Sequence, residues 1–467
     1  MLRRTFLKGA ASLAALGGIG ARSVAYGQSA PALPARSNLV IRNAYVMTMD
    51  PALGDIARGD VHVKDGVIVA VGPALPADGA EVIDGAGTIV MPGLVDTHWH
   101  MWNALLRSMS GDVKERGYFP LRIGFGKKYV PGDMYAGTRI ATAEALHSGI
   151  TTVNDWCHNI VGPEFAREDL RALTEAGIRA RFSYGNNAAA GPTSPVDWDD
   201  IRKLKGEWDK WSNGGLIKLG FAWRGLGNNP EVAKLGKSDI ETARSLGLPI
   251  TVHASSTKAQ IGQVQAMADA GLLGPDLQIV HATQATDSEI AAMKAANTAV
   301  SLSPYTELRI GYGLTPIMRF LKAGVRTGLS VDTTALSGSA NMFEIMKVLQ
   351  NLANAMAENE FELPAKRILE LATIEGARSI GMDGEIGSLT PGKRADVIAI
   401  ALDAPNLGPL TNAAHMVVEA AQPANVDLVL VDGRVLKKGG KLTTLDTAAV
   451  NAGAATALAR LRQQIDW

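Results

Sequence analysis

The chain predicts an α/β architecture: an eight-stranded β/α barrel accompanied by a smaller β domain assembled from both flanks. Three observations lead there. Apolar strand-like runs alternate with helical stretches through the middle of the chain, the order produced when parallel strands need crossover helices. Candidate strands end at His98, Asp155, Tyr184, Trp223, His253, His281, Ser303 and Asp332, across about 240 residues against the roughly 250 of a typical barrel. Short β segments cluster before and after this stretch, and the full 467 residues exceed the roughly 250 to 300 at which one core stops growing.

Composition removes several function classes. Forty-six basic residues balance 46 acidic ones, so no charged field suits a polyanion, and nucleic acid drops out of the expected partners. With 46% hydrophobic and 20% charged residues the chain is globular, and 50 glycines and 21 prolines punctuate apolar runs without forming a low-complexity tract. The single cysteine, Cys157, excludes an intramolecular disulfide framework and any thiolate-only metal site.

Residues 1–30 read as an export signal. Arg3, Arg4 and Lys8 precede a weakly apolar stretch from Gly9 to Gly20, roughly a dozen residues against the roughly 20 that span a bilayer. Arg3-Arg4-Thr5-Phe6-Leu7-Lys8 resembles the twin-arginine pattern, with an ordinary secretory signal as the alternative. The expected destination is the bacterial periplasm, reached folded and without a membrane anchor after cleavage.

Residues 37–90 carry Leu39-Val40-Ile41, Ala44-Tyr45-Val46-Met47, Val61-His62-Val63 and Val67 to Val71, separated by turns such as Asp65-Gly66. Residues 91–384 make the barrel. Residues 385–440 return to the β style with Ala395 to Ile400 and Val426 to Val431. Residues 441–467 hold an alanine-rich helix from Thr447 to Arg462, suited to a surface position or an oligomer contact.

The barrel strands end on metal-ligand chemistry. In Val95-Asp96-Thr97-His98-Trp99-His100, period-two geometry puts His98 and His100 on one face and turns Trp99 to the other. His253, His281 and Asp332 end three further strands, and strand ends converge on the carboxyl face of such a barrel. Neutral imidazoles with a carboxylate suit zinc, or iron or manganese, better than the oxygen-only shells of calcium and magnesium.

Four stretches carry a family resemblance: Met91-Pro92-Gly93-Leu94-Val95-Asp96-Thr97-His98-Trp99-His100, Ser148 to Val153, Ile279-Val280-His281-Ala282, and Gly387 to Asp396. Over about Leu39 to Gly433 the chain resembles the amidohydrolase superfamily, in its cytosine deaminase and triazine hydrolase-like branch. The resemblance implies a distorted (β/α)8 barrel with a composite β-sandwich, and one divalent metal held by His98, His100, His253 and Asp332. It further implies that Asp332 takes the proton of the attacking water and that His281 touches water or substrate.

One departure shapes the expected activity. Deaminase-like members carry glutamate three residues after the fifth-strand histidine, whereas His253-Ala254-Ser255-Ser256 places serine there. Serine is no acid for a ring nitrogen, so the expectation is hydrolysis of an amide, ureido or similar carbon–nitrogen bond in a cyclic or aromatic small molecule. Deamination of an amino-substituted heterocycle is the alternative, and a catalytically silent periplasmic binding protein is a third. Glu307 is a candidate relocated acid, with a loop carboxylate that faces solvent or pairs with Arg309 as the plainer reading.

Trp102, Trp156, His158, Trp223 and Tyr305 fall at or after strand ends, where aromatic walls favour flat ligands, so Trp102, Trp156 and His158 join Ser256 and Glu307 as candidate substrate contacts. Lys218 stands where another branch carries a carboxylated lysine, and an ordinary strand lysine is the expectation here. Cys157 is expected to be a buried thiol. His62, His147 and His415 receive no catalytic role.

Overall fold

The computed structural model describes residues 32–227 and 229–467, so the export signal expected at residues 1–30 lies outside the described residues. The amino-terminal flank forms β1 (Asn38–Met47), β2 (Asp55–Lys64), β3 (Val67–Gly72), β4 (Glu81–Asp84) and β5 (Thr88–Pro92). The barrel follows as β6 (Leu94–Trp99), β7 (Ile150–Cys157), β8 (Arg179–Gly185), β9 (Ile217–Trp223), β10 (Ile250–Ala254), β11 (Leu277–His281), β12 (Ala299–Leu302) and β13 (Thr327–Leu329). The chain then returns as β14 (Val397–Ala401), β15 (Val426–Val431), β16 (Arg434–Lys438) and β17 (Lys441–Leu442).

The two flanks join in one mixed sheet, ordered β17-β16-β15-β14-β5-β1-β2-β3, with β4 paired to β1. Its seam is the antiparallel pair of β5 and β14, in register from Val397 opposite Pro92 to Ala401 opposite Thr88. The two segments expected at Leu39–Ile41 and Ala44–Met47 are a single strand. Register shifts around Ala44 mark a bulge, Asn43 takes φ +64°, and its N–H donates to Asp60 Oδ1 at 3.0 Å. Alternating residues Leu39, Ile41, Val61, Val63, Leu428 and Leu430 bury a core of this domain's own.

The barrel sheet runs β6 to β13 in sequence order with every neighbouring pair parallel. Its helices are built to stop on time. The one at Pro163–Ala176 opens with proline, buries Phe165, Leu170 and Leu173, and ends at Gly177, whose φ of +74° lets the chain turn back into β8. Each such apolar side chain, when fully buried, contributes about 1.5 to 3 kcal/mol.

β13 stops at Leu329, three residues short of the expected Asp332, because the backbone changes partners there. Ser330 N–H still bonds Leu302 O on β12 at 2.9 Å, while Asp332 N–H bonds His98 O at 2.9 Å and His100 N–H bonds Asp332 O at 2.7 Å. The barrel therefore closes through Asp332. Barrel and flanking sheet are tied by Arg179, 2% exposed, whose Nε and Nη2 donate to the two oxygens of Asp396 at 2.7 and 2.9 Å. The alanine-rich helix forms at Thr447–Arg462 and lies against the helix Pro131–His147, with Arg460 paired to Asp133. No helix among the described residues is long and apolar enough to cross a membrane.

Candidate metal centre and its cavity

β6 places His98 and His100 on the inner face of the barrel, while the fully buried Trp99 turns outward from the cavity. His253 projects from β10 and Asp332 follows β13, where φ of +62° swings its carboxylate back over β6. The side-chain ligand atoms of these four residues lie within 4.8 Å of one another. His98 Nε2 is 3.0 Å from Asp332 Oδ1 and 3.2 Å from His253 Nε2, and His100 Nε2 is 3.3 Å from Asp332 Oδ1.

Ring nitrogens this close cannot all be satisfied by each other. Burial holds the pKa values of His98, His100 and His253 below the ordinary imidazole value, those of His100 and His253 well below, so the rings are neutral. Asp332 moves oppositely: burial would raise it, but its close contact with His98 and the charge of His281 outweigh that and keep it ionised. His100 donates from Nδ1 to Trp156 O at 3.4 Å, which leaves its Nε2 lone pair facing the centre. Three lone pairs and one anion thus converge. Four ligands about 2.0 to 2.1 Å from a tetrahedral ion stand roughly 3.3 Å apart; three of the separations here are 3.0 to 3.3 Å and all are within 4.8 Å, so the donor set suits one divalent ion.

Asp96 braces this geometry. Its carboxylate, buried behind the ligands, accepts His98 N–H at 3.0 Å and Val331 N–H at 3.2 Å, fixing both strands that carry the centre. His281 ends β11 with φ +70° and points Nε2 toward Asp332 Oδ2, 3.9 Å away. Its Nδ1–H donates to Glu307 Oε1 at 3.2 Å. Burial lowers the His281 pKa, but the hydrogen bond to Glu307 and the charges of Asp332 and Glu307 prevail, and the net shift is upward.

The cavity over the centre has a volume of about 400 Å³ and is walled by Trp156, Trp223, Phe119, Tyr118 and Tyr312, with His158 and Ser256 among its polar groups. Of the expected substrate contacts, Trp156, His158 and Ser256 line it. Trp102 does not: it is fully buried behind His158 and donates its indole N–H to His158 Nδ1 at 3.2 Å. Glu307 is also displaced from the expectation. It is 0% exposed, accepts Ser303 N–H at 2.8 Å and the Thr315 hydroxyl, and stands behind His281, away from solvent and away from Arg309, which pairs with Asp112. Tyr305 is replaced in the wall by Tyr312, whose ring lies edge-on to His281 at 5.2 Å.

The remaining candidates lie elsewhere. Asp155, one of the strand-end acids, is fully buried on the helix side of β7 beside Asp169, and both carboxyls are raised by burial. Cys157 is buried next to them with its thiol pushed up by burial and their charges. Lys218, second residue of β9, pairs with Glu385. His62 bonds Asn38 at 3.1 Å, and His415 is an exposed partner of Glu419. Sequence reasoning missed Arg122, Tyr118 and Tyr312, which come from the segments after β6 and β12 and carry no period or spacing signal.

The amidohydrolase family model matches residues 89–436. The chain is 30% identical over 431 residues to the 5'-deoxyadenosine deaminase of Methanothermobacter thermautotrophicus, spanning 87% of this chain and 96% of that protein. A solved adenosine deaminase from Xanthomonas campestris with bound zinc matches with a TM-score of 0.79 at 26% identity, covering 92% of this chain and 100% of that one. The zinc complex of atrazine chlorohydrolase from Arthrobacter aurescens shares the fold, with a TM-score of 0.78 at 21% identity over 90% of this chain and 100% of that one.

Proposed function

The chain belongs to the amidohydrolase family and is a hydrolase of carbon–nitrogen bonds, and we propose that it opens an amide- or ureido-type bond in a flat cyclic or aromatic small molecule. One observation carries the choice of bond. Among the described residues that line the cavity, Asp332 is the one carboxylate, and Ser256 stands where a ring-protonating glutamate is expected. A carbonyl-type carbon needs no ring nitrogen protonated before water attacks it.

His98, His100, His253 and Asp332 would hold one divalent ion, for which the N3O donor set favours zinc over iron or manganese. Such an ion, when bound, lowers the pKa of its water from about 15.7 toward 7. Asp332, kept ionised and with Oδ2 outside its contacts to His98 and His100, accepts a proton from the attacking water. His281, with Glu307 fixing Nδ1–H, presents Nε2 3.9 Å from Asp332 Oδ2, donates from Nε2 as the imidazolium to the departing nitrogen, and is reprotonated by the proton Asp332 took from the water. Trp156, Trp223 and Tyr312 sandwich a planar ring.

The test is a panel of anilides, cyclic amides, ureido compounds and amino-heterocycles offered to the zinc-loaded chain. Amine or ring-opened acid from the first three groups is expected. Deamination is the second reading, favoured by the deaminase names of the 5'-deoxyadenosine and adenosine relatives and by His281 as a proton donor that needs no glutamate at position 256. Ammonia from the amino-heterocycles alone would replace the first reading with it. Action in the periplasm rests on the Arg3-Arg4 signal, and cell fractionation checks it.

A further inference from the structure

Arg122 brings a positive charge to the cavity wall that the hydrolysis above does not use. It sits on the helix Tyr118–Gly126, half-buried, and its one polar contact among the described residues is His158 Nε2, 3.3 Å from Nη1. The other guanidinium of the wall, Arg224, is already neutralised: Nε donates to Asp239 at 2.6 Å and Nη1 to Pro192 O and Ser194 O at 2.7 and 2.8 Å. Arg122 has no such carboxylate partner among the described residues. Among the described residues lining the cavity, the one carboxylate, Asp332, belongs to the ligand set. Burial depresses the Arg122 pKa, as it does for a cation left without a counter-charge.

The hydrogen bonds of His158 sharpen this. Trp102, buried and without another acceptor among the described residues, donates Nε1–H to His158 Nδ1 at 3.2 Å. A neutral imidazole that accepts at Nδ1 carries its proton on Nε2. Nε2–H then faces the N–H groups of Arg122, donor against donor, and the pair has no acceptor between them. The other tautomer lets Arg122 donate but strands the buried indole of Trp102 against an N–H, leaving His158 Nδ1 only the 3.4 Å contact to Trp156 O. An anion in the cavity satisfies all of these donors at once.

We infer that Arg122 and His158 form a subsite for a carboxylate carried by the substrate, about one ring's width from the bond that is cut. The spacing follows from the centre: the His158 ring centroid is 4.4 Å from that of His100, and Arg122 lies on the next side of His158. One full positive charge beside a neutral imidazole matches a singly charged group, and the planar guanidinium fork matches a carboxylate in two parallel hydrogen bonds. The substrate class narrows to flat rings bearing a carboxylate. This rests on the reading that the cavity receives the substrate.

Calorimetric titration of the zinc-loaded full chain with benzoate and nicotinate, against benzamide and nicotinamide, tests it without requiring turnover. The acids are expected to bind at least tenfold more tightly than the amides, and Arg122→Gln is expected to erase that preference with zinc content and melting temperature unchanged. Arg122→Lys and His158→Gln, which disturb packing less, should each retain part of it. Equal binding of acids and amides by the unmodified chain overturns the subsite. So does an acid preference that survives in Arg122→Gln, because the zinc ion itself then holds the carboxylate. If the Arg122-dependent preference appears but no panel compound is hydrolysed, the subsite stands and the hydrolytic reading falls.

Discussion

Replacing Glu307 with glutamine isolates the group behind His281. The amide keeps the shape of the side chain and an acceptor for His281 Nδ1–H and Ser303 N–H, so packing in this 0% exposed position is preserved and chiefly the charge is lost. A hydrogen bond to a charged group contributes about 1.5 to 3 kcal/mol and a neutral one about 0.5 to 1.5, so the change costs the imidazolium about 1 to 1.5 kcal/mol. Losing that charge lowers the His281 pKa, against the upward shift that Glu307 helps to produce. The folded-state value is raised above the ordinary value near ~6.5. The stability contributed by the imidazolium is therefore fully present below that ordinary value and is lost as pH rises through the raised one. In the metal-free chain, Glu307→Gln should flatten this alkaline loss. In the zinc-loaded enzyme, a proton donor at Nε2 makes kcat/KM fall on the alkaline side, and the variant should move that limb to lower pH. Profiles of kcat/KM against pH, on whichever panel compound is hydrolysed, with zinc content as the control, decide the matter. Superimposable alkaline limbs in the two proteins would refute the assignment of His281 as proton donor.

Three further outcomes are expected. After loading with zinc, His98→Ala and Asp332→Asn should each retain only a small fraction of the metal that the unmodified chain holds by elemental analysis, since each removes one of four converging ligands; full occupancy in either would contradict the centre. Asp396→Asn leaves the buried Arg179 guanidinium without its bidentate partner and should lower stability by about 3 to 5 kcal/mol in urea unfolding, and a loss below about 1 kcal/mol would mean the pair is not what joins barrel to sheet. Cys157, with its thiol raised by burial and by the neighbouring Asp169 and Asp155, should react with iodoacetamide only after denaturation.

What was legible in the sequence followed from periodicity and from strand ends. Eight apolar runs placed the barrel because each strand buries both faces, and His98, His100, His253 and Asp332 announced themselves because a parallel barrel delivers every strand end to one face. Depth behind that face was not legible. Trp102 and Glu307 lie in the segments expected to border the cavity, yet Trp102, after β6, sits behind His158 from the end of β7, and Glu307, after β12, sits behind His281 from the end of β11, so a neighbouring strand end takes the cavity face. Asp155 shows the same limit within a strand: it alternates with Trp156, and the cavity side goes to the tryptophan. Arg122 comes from a helix inserted between β6 and the helix Pro131–His147, where no pattern relates position to the centre.

The stretch Val95 to His100 closes the barrel as well as carrying two ligands, and that double duty explains why nearly every residue in it is specified. β13 has three residues and its ladder to β12 ends at Leu329, so the gap to β6 must be bridged by other means. Val95 N–H bonds Ala372 O, the Thr97 hydroxyl bonds Leu329 O at 2.9 Å, Asp96 accepts Val331 N–H, and His98 and His100 exchange backbone hydrogen bonds with Asp332. The left-handed backbone at Asp332, unfavourable by roughly 1 to 3 kcal/mol for a side chain with a Cβ, is held in place by those same bonds. A cation drawing Asp332 toward His98 and His100 therefore pulls in the direction that shuts the barrel. Ligand positioning and barrel closure run through the same residues, His98, His100 and Asp332, so the bonds that close the barrel also hold the ligands in place.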